Sequence, residues 1–432
     1  MRDVSLWRGL LGVENTVIER VEFDEDAQVL VAHVRPVSRQ QRRCGKCRRH
    51  CPGYDSGPGR RRWRSLDLGT TVAMLEADTP RVRCTAHGVV VAHVPWARHD
   101  AGHTLAFDDQ VAWLATQASK STATQLMRIA WRTVGAIITR VWADIDDQHD
   151  RLAGLRRIGI DEISYKKGHK YLMVVVDHDA RRLVWAAPGR TSATVNEFFD
   201  LLGAERCAQI THVSADGADF IDTIVAQRCP NAVRVADPFH VVKWATDALD
   251  EVRRGTWNDA RVLAREEPKR PRGRPRADTP PRPGSELAKG LKGARYSLWK
   301  NPENLTENQQ VKLAWIAATD PKLYRAYLLK EGLRVVFQLP HEAAAEALDR
   351  WISWARRCRI PAFVKLQKSV VKHRTRILAA IEHKLSNGLI ESTNTKIRLL
   401  TRMAFGFKSA EALIALALLT LGGHRPALPG RK

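Results

Sequence analysis

The sequence predicts a multidomain α+β chain, and three observations carry that reading. At 432 residues the chain exceeds the size at which a single hydrophobic core stops growing. Apolar runs of strand length, two of them closing on an acid, fill its middle, while helical spacing dominates on either side. Ahead of the strands, two close pairs of metal-type residues stand apart from the other cysteines, Cys44-x-x-Cys47 and Cys84-x-x-His87. The net charge of +23 and pI near 10.1 further imply a polyanionic partner, because neutralised phosphates release counterions and supply salt-sensitive affinity. No membrane partner is expected, since the most apolar run, 412–422, is too short to span a bilayer. The N-terminus carries no export signal, so a cytoplasmic, nucleoid-associated protein is expected.

Residues 1–34 begin with a short apolar segment. Two alternating stretches follow, 17–23 and 28–34, joined by Asp24-Glu25-Asp26, which predicts an N-terminal β-hairpin segment. Residues 35–100 form a basic, loop-rich module whose two knuckles predict a zinc-ribbon-like domain. There Cys44, Cys47, Cys84 and His87 would hold tetrahedral Zn²⁺ between two hairpins. Such a zinc is structural, because a filled Cys₃His shell leaves no open position for chemistry. His50 and Cys51 lie close enough to replace a ligand, and His93, His99 and His103 leave the donor of the second knuckle open. Residues 101–150 read as three helices, 107–118, 121–130 and 132–142, with Val111, Leu114, Leu126, Met127, Ile137 and Ile138 inward. The tight connection at Ala130-Trp131 predicts a helix-turn-helix DNA-binding domain, with Arg132, Thr133 and Arg140 as candidate DNA contacts. Any three-helix bundle shares the pattern; the basic neighbour favours the DNA reading.

Residues 151–245 predict a three-strand meander, a helix, a strand, a helix and a strand. That β-β-β-α-β-α-β order is the order of a ribonuclease-H-like α/β core. Asp161 closes the first strand and Asp216 follows the fourth. Residues 246–384 lack strand patterning and predict an α-helical insertion packed around Trp257, Trp299, Trp315, Trp351 and Trp354. Inside it, the Pro/Arg-rich stretch 266–286 is too polar and proline-rich to build a core and reads as an exposed loop. Its Pro-Arg-Gly-Arg-Pro centre also resembles an AT-hook, in which Arg272 and Arg274 would enter a minor groove. Residues 385–432 are expected to complete the core, opening with a helix that carries Glu391.

Two strand-end carboxylates facing a third from a helix form a hard-oxygen cage suited to Mg²⁺ or Mn²⁺. Two such ions about 3.5–4 Å apart can activate an attacking oxygen and stabilise the leaving oxygen of a phosphodiester. Asn394, Lys396 and Arg398 follow Glu391 on the same helix and are candidate phosphate donors. Glu162 should face the opposite side of the strand from Asp161. Asp237 also ends a strand and is the main rival to Asp216, while His240 touches the site or packs against the sheet.

The chain resembles the ISL-three family of insertion-sequence transposases. The resemblance rests on the Leu6-Trp7-Arg8-Gly9-Leu10-Leu11-Gly12 opening, the double knuckle and the helix-turn-helix. It extends through Gly159-Ile160-Asp161-Glu162, Val213-Ser214-Ala215-Asp216 and Asp237-Pro238-Phe239-His240 to Asn387-Gly388-Leu389-Ile390-Glu391-Ser392-Thr393-Asn394 and Ala404-Phe405-Gly406-Phe407-Lys408. These segments follow the family's order over nearly the whole chain. The resemblance implies that Asp161, Asp216 and Glu391 are a DDE catalytic triad. It also implies that the enzyme binds the terminal inverted repeats of its element, cuts there, and joins the freed 3′-hydroxyl to target DNA. Synapsis of two ends implies a homo-oligomer on DNA. The chain departs from the pattern at His87, where relatives commonly carry cysteine, and in the Pro/Arg-rich stretch. The competing readings are a transcription regulator with a decayed catalytic fold and a ribonuclease-H-type nuclease.

Overall fold

The computed structural model describes residues 2–215, 219–267 and 282–431. Asp216, Arg272 and Arg274 therefore lie outside the described residues. Contacts within the chain divide it into two units, 1–153 with 395–432, and 154–394.

The first unit opens with helix α1 (Arg2–Leu11) and the hairpin β1 (Thr16–Asp24) and β2 (Val29–Pro36). Next come β3 (Gly53–Asp55), β4 (Arg60–Arg64), β5 (Val72–Asp78), β6 (Arg81–Cys84) and β7 (Gly88–Val91). They form a four-stranded sheet, β1-β2-β5-β4, and a three-stranded one, β3-β6-β7. Residues 1–34, expected to stand as a segment of their own, thus share a sheet with β4 and β5, because β2 pairs in parallel with β5 (Val31 opposite Met74). Alternation on β5 sends Ala73, Leu75 and Ala77 inward against Trp63, whose ring meets Trp96 edge-on at 5.5 Å.

Helices α2 (Leu105–Gln117), α3 (Lys120–Met127) and α4 (Trp131–Gln148) follow. Thr104 and Ser119 cap the first two, each hydroxyl accepting a backbone N–H three residues on. The bundle buries Phe107, Val111, Met127, Val134, Ile137, Ile138 and Val141. Leu126, expected inside, is 59% exposed, because Ala123 and Met127 take the buried face of α3.

The second unit begins with β8 (Arg157–Lys166), β9 (Lys170–Asp177) and β10 (Arg182–Pro188), then α5 (Ser192–Leu202) and α6 (Ala204–Cys207). Strand β11 (His212–Ala215), α7 (Asp219–Arg228) and β12 (Val233–Val235) complete a mixed sheet in the order β10-β9-β8-β11-β12. The β8–β9–β10 meander is antiparallel, whereas β8, β11 and β12 run parallel. A run of helices follows: α8 (Pro238–Glu266), α9 (Pro283–Leu291), α10 (Arg295–Trp299), α11 (Glu307–Thr319), α12 (Pro321–Val336), α13 (His341–Arg357), α14 (Pro361–Lys372) and α15 (Arg374–His383). They bury a core of their own around Leu249, Leu298, Leu329, Leu348, Trp351 and Phe363, with the Trp351 indole donating to the Leu329 carbonyl at 2.7 Å.

Helix α16 (Gly388–Met403) carries the last residues of the second unit, and α17 (Ala410–Leu421) ends the fold. Residues 385–432 were expected to complete the core as one piece; those from 395 onward instead belong with the first unit. Helix α17 is apolar on nearly every face, so it must be enclosed, and it packs on α4 and α2. Among the described residues no helix is long and apolar enough to cross a membrane.

Candidate metal centres and nucleic-acid interface

The first cluster is built by two turns. A tight turn after Cys44, closed by hydrogen bonds from Cys44 N to Arg49 O and from Arg48 N to Cys44 O, presents Cys44 and Cys47 together. The β6–β7 turn presents Cys84 and His87, with Gly88 at φ +68° where a side chain would be strained. Cys44, Cys47, Cys84 and His87 each bring a ligand atom within 4.8 Å of the others. The Cys47–Cys84 sulfurs are 3.7 Å apart, and His87 Nδ1 lies 3.7 Å from Cys44 and 3.6 Å from Cys84. Four ligands at zinc–sulfur and zinc–nitrogen bond lengths around one centre would be about 3.3–3.8 Å apart, so the donor set and its spacing fit tetrahedral zinc. Hydrogen bonds from His87 and the Ala86 amide hold the Cys84 thiol down at about 6, favouring the thiolate that a metal needs. Cys51 is buried alongside but turns its thiol to the Arg49 carbonyl.

The second cluster lies in the second unit. On β8, Ile158, Gly159 and Ile160 are buried, Asp161 is half-buried and Glu162 is exposed. Gly159 is required there, because a Cβ would meet His178 Nε2 at 2.9 Å and Val176 at 3.0 Å. Strand β11 ends at Ala215, paired with Ile160. Asp161 accepts the Glu162 amide on Oδ1 and the Asn394 side-chain amide on Oδ2, the latter at 2.7 Å across 233 positions. Glu391, one turn before Asn394 on α16, is exposed. It shares a compact group with Asp237 and His240, all ligand atoms within 4.8 Å.

Asp237 is bound on both oxygens. It caps α8 through the His240 N–H, accepts His240 Nδ1 at 2.7 Å on the same oxygen, and takes the Asn387 amide at 3.1 Å on the other. Burial pushes this carboxyl up, but the hydrogen bonds from His240 and Asn387 outweigh it and leave it below the ordinary carboxylate value. Asp237 is therefore an anchor that orients an imidazole. Of the described acids expected at the site, Asp161 is tied to the helix of Glu391 through Asn394, while Glu391 itself groups with Asp237 and His240.

Comparison with known proteins decides the family. A transposase model matches residues 158–417, a helix-turn-helix model of transposase family ISL3 matches 92–142, and a zinc-finger model of the transposases of IS204, IS1001, IS1096 and IS1165 matches 40–87. The chain belongs to the ISL3 family of transposases. It is 65% identical over 436 residues to the transposase for insertion sequence element IS1557 from two Mycobacterium tuberculosis strains, covering 100% of this chain and 98% of the relative. It is 26% identical over 420 residues to the transposase for IS1001 of Bordetella parapertussis, covering 95% and 96%.

Two residues of this transposase expected to meet DNA make contacts within the chain instead. Arg140 spends its charge on Asp108, at 2.9 Å, and Asp108 is fully buried. Burial pushes the Asp108 carboxyl up to about 6 even beside Arg140 and Arg98. Arg140 thus holds the bundle together, a role invisible without knowing that Asp108 is inside. Asn394, expected to donate to phosphate, is 3% exposed and donates to Asp161. Arg132 at the start of α4 is exposed and Thr133 half-buried, and Lys396 and Arg398 are exposed on α16.

Proposed function

We propose that this transposase cuts DNA at the ends of its insertion sequence and transfers the freed strand to target DNA, using Asp161, Asp216 and Glu391 in a ribonuclease-H-like core interrupted by the helices α8–α15. The observation that carries the reading is the hydrogen bond between Asp161 and Asn394, which brings the first strand's acid to the helix of Glu391. The strand order, an antiparallel meander followed by two parallel strands, supports the core assignment. Asp161, Asp216 and Glu391 would hold two Mg²⁺ (or Mn²⁺) ions. The carboxylate donors and the buried Oδ1 of Asn394, unpartnered among the described residues, suit hydrated divalent cations. Bound there, the ions would supply activation of the attacking oxygen and neutralisation of the departing 3′-oxygen.

The residues themselves do the positioning. Asp237 orients His240 beside Glu391, and Asn387 fixes Asp237 from the turn that starts α16. In the first unit, Cys44, Cys47, Cys84 and His87 hold a structural zinc, which stabilises a domain too small and basic to fold on its apolar core. Arg132 and Thr133 read the element ends, while Lys396 and Arg398 contact phosphate, and Arg272 with Arg274 enters a minor groove. Two copies synapse two ends. The test is purified protein incubated with its own element ends and Mg²⁺, with products mapped to the nucleotide. Nicks at the ends are expected in the native protein, and Glu391→Gln should lower cleavage by about 10³-fold or more without loss of end binding. Full cleavage by Asp161→Asn or Glu391→Gln would overturn the assignment.

A further inference from the structure

A buried side-chain amide is normally satisfied on both its donor and its acceptor. Asn394 is 3% exposed, and only its donor is satisfied. An ionised carboxylate can only accept, so the bond to Asp161 Oδ2 fixes which end of the amide faces it. The other end, Oδ1, is buried with no hydrogen-bond partner among the described residues. Meanwhile the Glu162 amide occupies one lone pair of Asp161 Oδ1. Each oxygen of this half-buried carboxylate thus accepts from an N–H donor.

We propose that Asn394 is the positioning residue for Asp161: its Nδ2–H sets the carboxylate's orientation for cation binding, and its Oδ1 accepts a hydrogen bond from water in the cation's shell. This rests on Asp161 being a metal ligand, as proposed above. The same helix start repeats the device at Asn387, whose backbone N–H holds the strand-end acid Asp237 at 3.1 Å. One helical segment therefore carries Glu391 and, on either side of it, a donor to each of two acids, Asp237 at the start of α8 and Asp161 on β8. Donors of this outer kind fix ligand geometry, and their loss costs about ten- to hundredfold in metal affinity or activity.

The test uses the full chain and Mn²⁺ as probe, with bound ion counted from the electron paramagnetic resonance signal of free Mn²⁺, alongside end cleavage as a function of Mn²⁺. Two variants are compared, Asn394→Ala and the size-matched Asn394→Leu, which keeps the buried volume if the smaller one fails to fold. The expected result is a rise of about ten- to hundredfold in half-saturating Mn²⁺ by both readouts, with cleavage partly restored at high Mn²⁺. Asp161→Asn should instead lose cleavage at every Mn²⁺ concentration. A folded Asn394 variant whose half-saturation stays within about twofold of native, while Asp161→Asn is inactive, overturns the positioning role and leaves the catalytic reading standing. Unchanged Mn²⁺ binding and cleavage in Asp161→Asn would sink both.

Discussion

The ribbon cluster and the acid cluster solve the problem of gathering donors in opposite ways. Cys44, Cys47, Cys84 and His87 come from two short turns of one small domain, and their mutual distances already match a tetrahedral ion. The acids come from β8, the start of α8 and α16, and what holds them is amide donors: Glu162 and Asn394 on Asp161, Asn387 on Asp237. A site closed by its own ligands is built to stay filled. A site whose ligands are steered from behind keeps coordination positions for substrate and water.

The largest way to break that comparison is at the ribbon. Structural zinc contributes an apparent 10–16 kcal/mol in zinc-finger peptides, roughly, so Cys84→Ser should unfold the ribbon outright. Zinc content, measured by a colorimetric chelator, should fall from about one ion per chain to near zero, with end binding lost as well. Brief exposure to EDTA followed by Mg²⁺ should restore cleavage in the native protein, since the steered site reloads freely. A ribbon variant that kept end binding without zinc would show the Cys₃His cluster to be dispensable.

A smaller effect separates the anchoring acid, Asp237, from the acids proposed to react. Asp237→Ala removes the cap of α8 and strands the buried Asn387 amide, so a loss of about 2–4 kcal/mol is expected in chemical denaturation. Glu391→Gln, on an exposed position, should leave stability within about 0.5 kcal/mol while removing cleavage. Equal stability losses in both variants would erase the distinction between anchor and reactant.

Much of this organisation was legible because it is local. The run Arg157-Ile158-Gly159-Ile160 announces a buried strand, although Asp161, expected to close it, lies mid-strand because β8 runs on to Lys166 against β9; the β8–β12 order follows from such runs and the turns between them. The paired knuckles announce their own convergence. What could not be read is the long-range partner of each polar group. Asn394 on a helix with Lys396 and Arg398 looks like a phosphate donor until Asp161, 233 positions away, takes its amide. Asp237 reads as the main rival to Asp216 because nothing in its neighbourhood reveals the Asn387 N–H. The apolar segment 410–421 could complete any core, and nothing local in it names α4 and α2 as the helices it packs on.

Arg140 and Arg132 give the smallest and sharpest contrast, two arginines of one helix, one paired with a buried acid and one exposed. Arg140→Ala leaves the buried Asp108 with Arg98, 3.6 Å away, so a stability loss of about 1–3 kcal/mol is expected at pH 7.5. The loss should depend on pH with a definite sign. Asp108 titrates at about 6 in the folded chain, above the ordinary carboxylate value, so the folded state favours its protonated form and loses stability as pH rises through 6. Arg140 opposes that loss only while Asp108 is charged. The stability difference between native protein and Arg140→Ala should therefore shrink at pH 5 and widen above pH 6.5, in urea titrations at matched ionic strength. Arg132→Ala should leave the urea midpoint unchanged at both pH values and instead lower the salt slope of end binding by about one. If Arg140→Ala moved the salt slope while its stability cost was the same at pH 5 and 7.5, the charge of Arg140 would be spent on DNA and its pairing with Asp108 would be incidental.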